Sequence, residues 1–181
     1  LLQAIAPQLH LILADITHFQ LSMDECEKQL ARLLKKDAVA ERLDEVSGIG
    51  ILTASAFMTT VVQPERFRNG RMLSAWLGMT PRENSSGNKR KLGSISRQGN
   101  TYVRMLLIHG ARSALLAAKR RATTAPDKLT ALQRWANACS DRIGFNKATV
   151  ALANKMVRIC WAVWCHERRF NGNFQLTIKT S

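Results

Sequence analysis

The first 40 residues carry apolar side chains at alternating intervals of three and four positions. Eight residues keep this pattern without a break: Leu9, Ile12, Ile16, Phe19, Met23, Cys26, Leu30 and Leu33. Such alternation places one narrow apolar stripe along a single face of a helix, which is typical of a coiled coil. The alternative is a long amphipathic helix packed on its own domain. We favour a coiled coil through which the chain associates with further copies of itself.

The rest of the chain also predicts helices. Hydrophobic residues make up 46% of the sequence, enough for a core, and prolines number only four among 181 residues. Asn100 is expected to cap a helix. Helices are predicted over residues 38–46, 52–62, 72–77, 101–121, 129–140 and 147–168, and one short extended piece over 92–95. The fold class is therefore predicted to be all-α, with a long N-terminal helix followed by a helical domain.

The pattern also predicts how the chain is divided. We expect a coiled-coil oligomerisation helix over 1–40, and a domain with a helix-hairpin-helix motif and a basic loop over 41–121. A C-terminal helical hairpin should pack on it over 122–170, followed by a frayed tail over 171–181. The chain begins at Leu1 rather than Met, so we expect a piece of a longer protein.

Positive charge is concentrated in the middle of the chain. The formal net charge is +14, and residues 66–121 hold 13 Lys and Arg against one acidic residue. A basic excess confined to one segment is typical of a nucleic-acid footprint. No apolar run is long enough to span a membrane. The four cysteines are scattered through apolar positions, so we expect reduced, buried thiols, no metal site and a cytoplasmic protein.

Ser47-Gly48-Ile49-Gly50 lies between two predicted helices and resembles the turn of a helix-hairpin-helix. Glycines at Gly48 and Gly50 would let the backbone approach a phosphate, and the helix start near Thr53 offers free N–H groups. Contacts of this kind read the nucleic-acid backbone rather than the bases. The alternative is an ordinary corner between two helices.

Residues 81–100 are rich in glycines, hydroxyls and cations and poor in residues that fill a core. Such a loop suits a polyanion, although a solvated basic loop has the same composition. Trp76, just before it, shares a face with Leu73 and Leu77 and is expected in the core. The side chains expected to contact nucleic acid are Arg66, Arg68, Arg71, Arg82, Lys89, Arg90, Lys91, Arg97 and Arg104.

Three segments, in order and at close spacing, resemble a known family. They are SGIG at 47–50, RFRNGRMLSAWLGMTPRENSSG at 66–87 and GSISRQGNTYVRMLL at 93–107. Together they are similar to the C-terminal domain of the bacterial insertion-sequence transposases usually called the IS one-ten family. The resemblance covers about residues 46–120 closely. It implies DNA binding, recombination and transposition, and a guide RNA as a second partner.

The resemblance also implies a catalytic serine. In that family the serine of a Ser-Gly pair in this loop is the strand-transfer nucleophile, which corresponds to Ser86, with Ser85 the second candidate. In the same family, the acidic residues that bind magnesium lie in an N-terminal RuvC-like nuclease domain. We therefore expect no cofactor in this chain and no activity from this chain alone. Glu83 and His109 are base candidates by residue type. We expect residues 84–99 to be mobile or held only by neighbouring molecules, and Ser86 to be exposed. The alternative is a pre-formed site in which Ser86 is bonded to Glu83, His109 or backbone N–H groups. The alternative function is a non-catalytic nucleic-acid-binding and oligomerisation module.

Overall fold

The computed structural model describes residues 2–84, 86 and 91–173, with side chains from residue 5 onward. These residues form α1 (Leu2–Leu34), α2 (Ala38–Asp44), α3 (Ile51–Val61), α4 (Gly70–Trp76), α5 (Thr101–Thr124), α6 (Ala131–Ile143) and α7 (Phe145–Cys165), with short 3₁₀ turns at Pro64–Arg66 and Pro126–Lys128. The strands β1 (Pro81–Glu83) and β2 (Leu92–Ile95) form one antiparallel ribbon. The predicted all-α class is confirmed.

Side-chain caps explain where several helices begin. Asn100 Oδ1 accepts a hydrogen bond from the N–H of Val103 at 3.1 Å, as the sequence predicted. Asp37 and Asn69 accept from the first-turn N–H groups of α2 and α4 in the same way. Thr130 and Gln133 form a reciprocal capping box at the start of α6.

The connection between α6 and α7 is tighter than predicted. The predicted helices end at residue 140 and begin again at residue 147, whereas α6 continues to Ile143 and α7 begins at Phe145. Gly144 alone reverses the chain, with φ of +85°, a conformation that glycine adopts without the usual steric cost. The two helices are therefore joined by a single residue.

One hydrophobic core extends from residue 43 to residue 163. Its largest fully buried side chains come from α2, α3, α4, α5 and α7 and from the segment after α4, and include Leu43, Phe57, Leu73, Leu107 and Met156. Helix α5 packs along α7, while α4 and α6 pack on other parts of α7. Helix α7 thus forms the centre on which the rest of the domain is assembled. No helix in the described part of the chain is long and apolar enough to cross a membrane.

Helix α1 projects from this core. Every side chain from Pro7 to Gln29 is exposed, and α1 contacts the domain through α3. The heptad residues Ile16 and Met23 are 47% and 63% exposed. Cys26 is exposed as well and Cys165 is only partly buried, so the prediction that all four cysteines are buried was wrong for these two. Helix α1 carries Cys26 away from the core that covers Cys139 and Cys160.

The end of the described chain is held rather than frayed. The N–H of Leu132 donates to the carbonyl oxygen of Gly172 at 2.9 Å, and the N–H of Ala131 donates to Asn173 Oδ1 at 3.0 Å. The prediction of a frayed tail was therefore wrong for residues 171–173, because the open N-terminus of α6 supplies donors that these residues satisfy. Residues 174–181 lie outside the described part.

Candidate nucleic-acid interface

The basic loop predicted over residues 81–100 contains the β1–β2 ribbon. Pro81 lies opposite Ile95 and Glu83 opposite Leu92, with an irregularity between the two pairs. The extended piece predicted at 92–95 is confirmed. Strand β1 was not predicted, because three residues beginning with a proline show no measurable alternation. Its side chains are exposed, so the ribbon stands out from the helical core.

Backbone hydrogen bonds continue on both sides of the ribbon. The N–H of Asn84 donates to the Lys91 carbonyl oxygen at 2.9 Å, and that of Ser96 donates to Thr80 at 2.9 Å. Part of the segment expected to be mobile, residues 84–99, is therefore held by backbone hydrogen bonds within the chain. Strand pairing supplies what side-chain packing does not. Ser85 and residues 87–90, which belong to the same prediction, lie outside the described residues.

The base of the ribbon lies directly against the end of α4. Gly78 has φ of +72°, and a Cβ there would lie 2.5 Å from the Gln98 nitrogen. Gly99 has φ of +81°, and a Cβ there would lie 3.2 Å from the Leu77 Cα. The N–H of Arg97 donates to the Gly78 carbonyl oxygen at 3.1 Å. Gly78 and Gly99 thus permit close backbone contacts between the end of α4 and residues 97–99, which hold the C-terminal end of the ribbon in place.

Arg104 bridges the end of α4 and the residues that follow β2. It is 7% exposed, and its Nη1 donates to the carbonyl oxygens of Leu77 at 3.3 Å and Gln98 at 3.0 Å. Its Nη2 donates to Thr101 Oγ1 at 3.2 Å. The sequence suggested a contact between Arg104 and nucleic acid, but the buried guanidinium is committed to protein oxygens. It positions the ribbon instead of offering a free charge.

The other described cations predicted to contact nucleic acid are exposed. This group comprises Arg66, Arg68, Arg71, Arg82, Lys91 and Arg97, while Lys89 and Arg90 lie outside the described residues. Arg82 donates to the Ser96 carbonyl oxygen at 3.1 Å, so it also braces the ribbon. The segment therefore presents several positive side chains on its surface.

Arg66 lies beside two aromatic rings. Its Cζ is 5.0 Å from the centroid of the Phe67 ring and 5.1 Å from that of the Trp76 ring. Trp76 is 39% exposed, so the prediction that it belongs to the core was wrong. Helix α4 ends at Trp76, and the indole packs on the Phe67 ring, with the two centroids 5.4 Å apart. Trp76 thus combines an exposed aromatic surface with a neighbouring cation.

Ser86 is exposed, as expected, and lies two residues beyond the bonded Asn84. Glu83, at the end of β1, is on the same ribbon. His109 is exposed on α5. The described part of the ribbon therefore holds the candidate nucleophile in solvent, accessible to a large substrate.

The Ser47–Gly50 turn divides into a packed half and an open half. Gly48 has φ of +88°, and a Cβ there would lie 2.5 Å from the carbonyl oxygen of Gly110 on α5. Gly50 is exposed, nothing would obstruct a Cβ, and no side chain caps α3 at that end. Thr53 is only 7% exposed. Gly48 thus has a packing role, while the backbone at Gly50 remains open to an anion.

The two cysteines near the C-terminus, Cys160 and Cys165, differ in burial. Cys160 is fully buried, and loss of solvation raises the pKa of its thiol to about 12. Burial also raises the pKa of Cys165, with a smaller contribution from the negative charge of Glu65. Within the described residues, no group of three or more His, Cys, Asp or Glu side chains is arranged to hold a metal ion. Burial thus favours the neutral form of both thiols.

The chain is similar to known transposases. Residues 40–125 match the family described as "Transposase IS116/IS110/IS902 family". A "Probable family 20 transposase" of Pseudomonas aeruginosa is 40% identical over 141 residues, which are 78% of this chain and 40% of that protein.

Two further relatives are named for insertion sequences. The transposase for insertion sequence element IS1111A of Coxiella burnetii is 37% identical over 82% of this chain and 39% of its own length. That for element IS1328 of Yersinia enterocolitica is 33% identical over 78% of this chain and 40% of its own length. The chain thus spans about 40% of the length of these relatives.

Proposed function

Because this chain belongs to the IS116/IS110/IS902 transposase family, as its C-terminal transposase domain, we propose that it binds DNA and contributes Ser86 to strand transfer. One observation carries the proposal. An exposed serine stands on a projecting basic ribbon whose base is fixed by Arg104, Gly78 and Gly99. A rigid base under an exposed hydroxyl suits a nucleophile that must reach a phosphate within a duplex.

The proposed step exchanges one phosphate ester for another. A bond forms between Ser86 Oγ and the phosphorus, while the bond from phosphorus to one deoxyribose oxygen breaks. The hydroxyl proton passes to a base, and the departing deoxyribose oxygen takes up a proton. Ser86 is then linked to DNA as a phosphoserine, and reversal of the step by another strand end completes the exchange. Neighbouring cations stabilise the charge that develops on the phosphate oxygens.

The base and any magnesium ion belong to another part of the protein in this proposal. The relatives extend well beyond the region they share with this chain. Within it, Cys160, Cys165 and His166 do not form a metal-binding group. A magnesium ion held by an acidic domain would supply Lewis-acid stabilisation of the phosphate. The residues of this chain would hold the DNA and present the hydroxyl.

The exposed cations and the Gly50 turn support DNA binding. Arginine and lysine side chains on the surface of segment 66–121 would each neutralise a phosphate and release counterions. At Gly50 the uncapped start of α3 would add N–H donors to a phosphate oxygen. A guide RNA would bring a second polyanion to the same charged surface. These contacts position the substrate without reading its sequence.

The test is strand transfer by the full-length transposase carrying Ser86→Ala. We expect lost exchange with unchanged DNA affinity, and no covalent protein–DNA adduct on denaturing gels. Ser94→Ala is the matched control, because Ser94 is an exposed serine on β2 of the same ribbon. Ser85→Ala tests the neighbouring hydroxyl. Normal exchange by Ser86→Ala would refute the assignment and leave a binding module without catalysis.

We further propose that α1 pairs with another copy of the chain. The heptad stripe is exposed without a break from Leu9 to Cys26, which is more than two heptads. An apolar stripe of this length is stabilised when a second helix buries it. Association through α1 would bring two ribbons, and so two serines, to one assembly.

A further inference from the structure

A second concentration of cations lines a cleft that the sequence patterns did not indicate. The cleft has a volume of about 950 Å³ and lies between the start of α4, the start of α6, the C-terminal half of α7 and residues 168–172. That volume is within the range of small-molecule sites, about 300–1,000 Å³. Of the cations assigned to the interface above, only Arg71 lines it. The cleft therefore shares only Arg71 with the cations of that interface.

The charge of the cleft is positive and uncompensated. Arg71, Lys155, Arg158 and Arg168 line it, and in the described part of the chain none of them has a carboxylate within 4 Å. No described Asp or Glu is among the lining residues. Burial, and then the nearby charge of Arg158, lower the pKa of Lys155. An anion seated between these side chains would relieve that repulsion.

Aromatic rings lie among the cations. Lys155 Nζ lies 4.4 Å from the centroid of the Trp135 ring, and both residues are partly exposed. Trp161 lines the same cleft, and its Nε1 donates to the Pro64 carbonyl oxygen at 3.0 Å, which fixes the plane of its indole. Phe170 adds a third ring. The walls thus offer flat apolar surfaces beside positive charge.

The wall made by residues 169–172 is held from two sides. Arg169 pairs with Glu45 at 2.9 Å and Glu41 at 3.2 Å on α2, which also neutralises its own charge. The N–H of Phe170 donates to Glu45 Oε2 at 3.2 Å. Gly172 bonds to the start of α6, as described above. The cleft is therefore formed before any ligand arrives, which lowers the ordering cost of binding.

We propose that this cleft binds a single-stranded segment of nucleic acid, with a phosphate between Lys155 and Arg158 and an unstacked base against the tryptophans. Cations beside aromatic rings are the recurring means of holding unpaired strands, because every base has a face that stacks. A duplex keeps its bases stacked inside and would offer only its phosphates. DNA and RNA strands share the chemistry that this cleft recognises.

The experiment measures binding of fluorescein-labelled oligo-dT and oligo-U to the full chain by anisotropy, with a duplex for comparison. For the double variant Lys155→Glu with Arg158→Glu, we expect at least a tenfold loss of affinity for the single strands. The control is Arg142→Glu with Lys147→Glu, which changes the net charge equally at exposed positions outside the cleft. Equal losses in the two double variants would overturn the proposal.

A second variant tests the base contact and does not depend on charge. Trp135→Ala should weaken single-strand binding by about tenfold, the scale measured for one stacked base. The same variant should bind inorganic polyphosphate as tightly as the parent, since that polyanion has no bases. An equal loss of affinity for polyphosphate or for the duplex, neither of which offers an unstacked base, would overturn the proposal. Thermal unfolding followed by circular dichroism checks that each variant is folded.

The two labelled strands identify the source of the ligand, because the tighter binder is the one that the cleft prefers. The readout is binding by the isolated chain. The result for the cleft therefore does not depend on whether Ser86 carries out strand transfer.

Discussion

Gly48 and Gly110 meet backbone to backbone. A Cβ on Gly48 would lie 2.5 Å from the carbonyl oxygen of Gly110, and a Cβ on Gly110 would lie closer still to the carbonyl oxygen of Gly48. The turn between α2 and α3 therefore rests directly on α5, with no side chain between them. This contact joins the Ser47–Gly50 turn to the helix whose first turns hold the base of the ribbon.

Gly110→Ala should destabilise the fold. The added methyl group would meet backbone atoms, which cannot rotate away, so we expect a loss of about 1–3 kcal/mol or more in the free energy of unfolding. Gly50→Ala is the control, because a Cβ there meets nothing within 4 Å and the backbone has no positive φ. Urea denaturation measures both variants. Equal stability of the two would contradict the close contact.

Arg104→Met should loosen the base of the ribbon. The carbonyl oxygens of Leu77 and Gln98 would lose their donor, at a cost of about 1–3 kcal/mol for buried groups left unsatisfied. Arg104→Lys should recover only part of this, because an ammonium lacks the guanidinium fork. Arg112→Met is the control on the same helix, since Arg112 is exposed. Hydrogen exchange at Ser96 and Arg97 should accelerate in the Arg104 variants alone.

Nucleic-acid binding should depend strongly on salt. If six phosphates of a duplex are engaged, the slope of log affinity against log salt is roughly −5. Arg68→Gln with Arg97→Gln should reduce the steepness of that slope by about 2, because two phosphate contacts are lost. Lys128→Gln with Lys147→Gln, outside segment 66–121, is the control. A salt response that is flat in the parent would exclude an electrostatic interface.

Association should depend on the heptad stripe of α1. Ile16→Asp with Met23→Asp would place charges in the seam and prevent pairing, while the domain core stays intact because both positions are exposed. Leu11→Asp with Leu21→Asp is the control, since these residues are 65% and 64% exposed but lie off the stripe. Sedimentation velocity measures the mass. An associated parent whose mass is unchanged by the stripe variant would refute the coiled coil.

Stability should fall in alkaline solution through Cys160. The folded pKa of about 12 exceeds the ordinary value of 9.0, so between these values the unfolded chain loses a proton that the folded chain retains. The free energy of unfolding then falls by up to about 1.4 kcal/mol per pH unit above pH 9. In Cys160→Ala the free energy of unfolding should decline less steeply between about pH 8.5 and 10.5, a range that includes the ordinary thiol pKa. Urea titrations at each pH measure this decline. Parallel declines in parent and variant would show that Cys160 is not the cause.

Much of the secondary structure was predictable, because it depends on local signals. The heptad residues from Leu9 to Leu33 and the Asn100 cap are properties of a few neighbouring residues. The excess of cations over residues 66–121 needed only counting. The three motif segments, including Ser86, were sufficient to recognise the family. Each of these features can be recognised from the sequence alone, without knowledge of the fold.

Tertiary structure decided which of these residues are available. Arg104 and Arg97 are both cations of the basic segment, yet packing buries the first under the ribbon and leaves the second in solvent. Gly48 and Gly50 belong to one turn, but only Gly48 lies against α5. The cleft joins Arg71 to Lys155, which are far apart in sequence. Burial and proximity depend on contacts between distant segments, and a linear pattern of residue types does not contain those contacts.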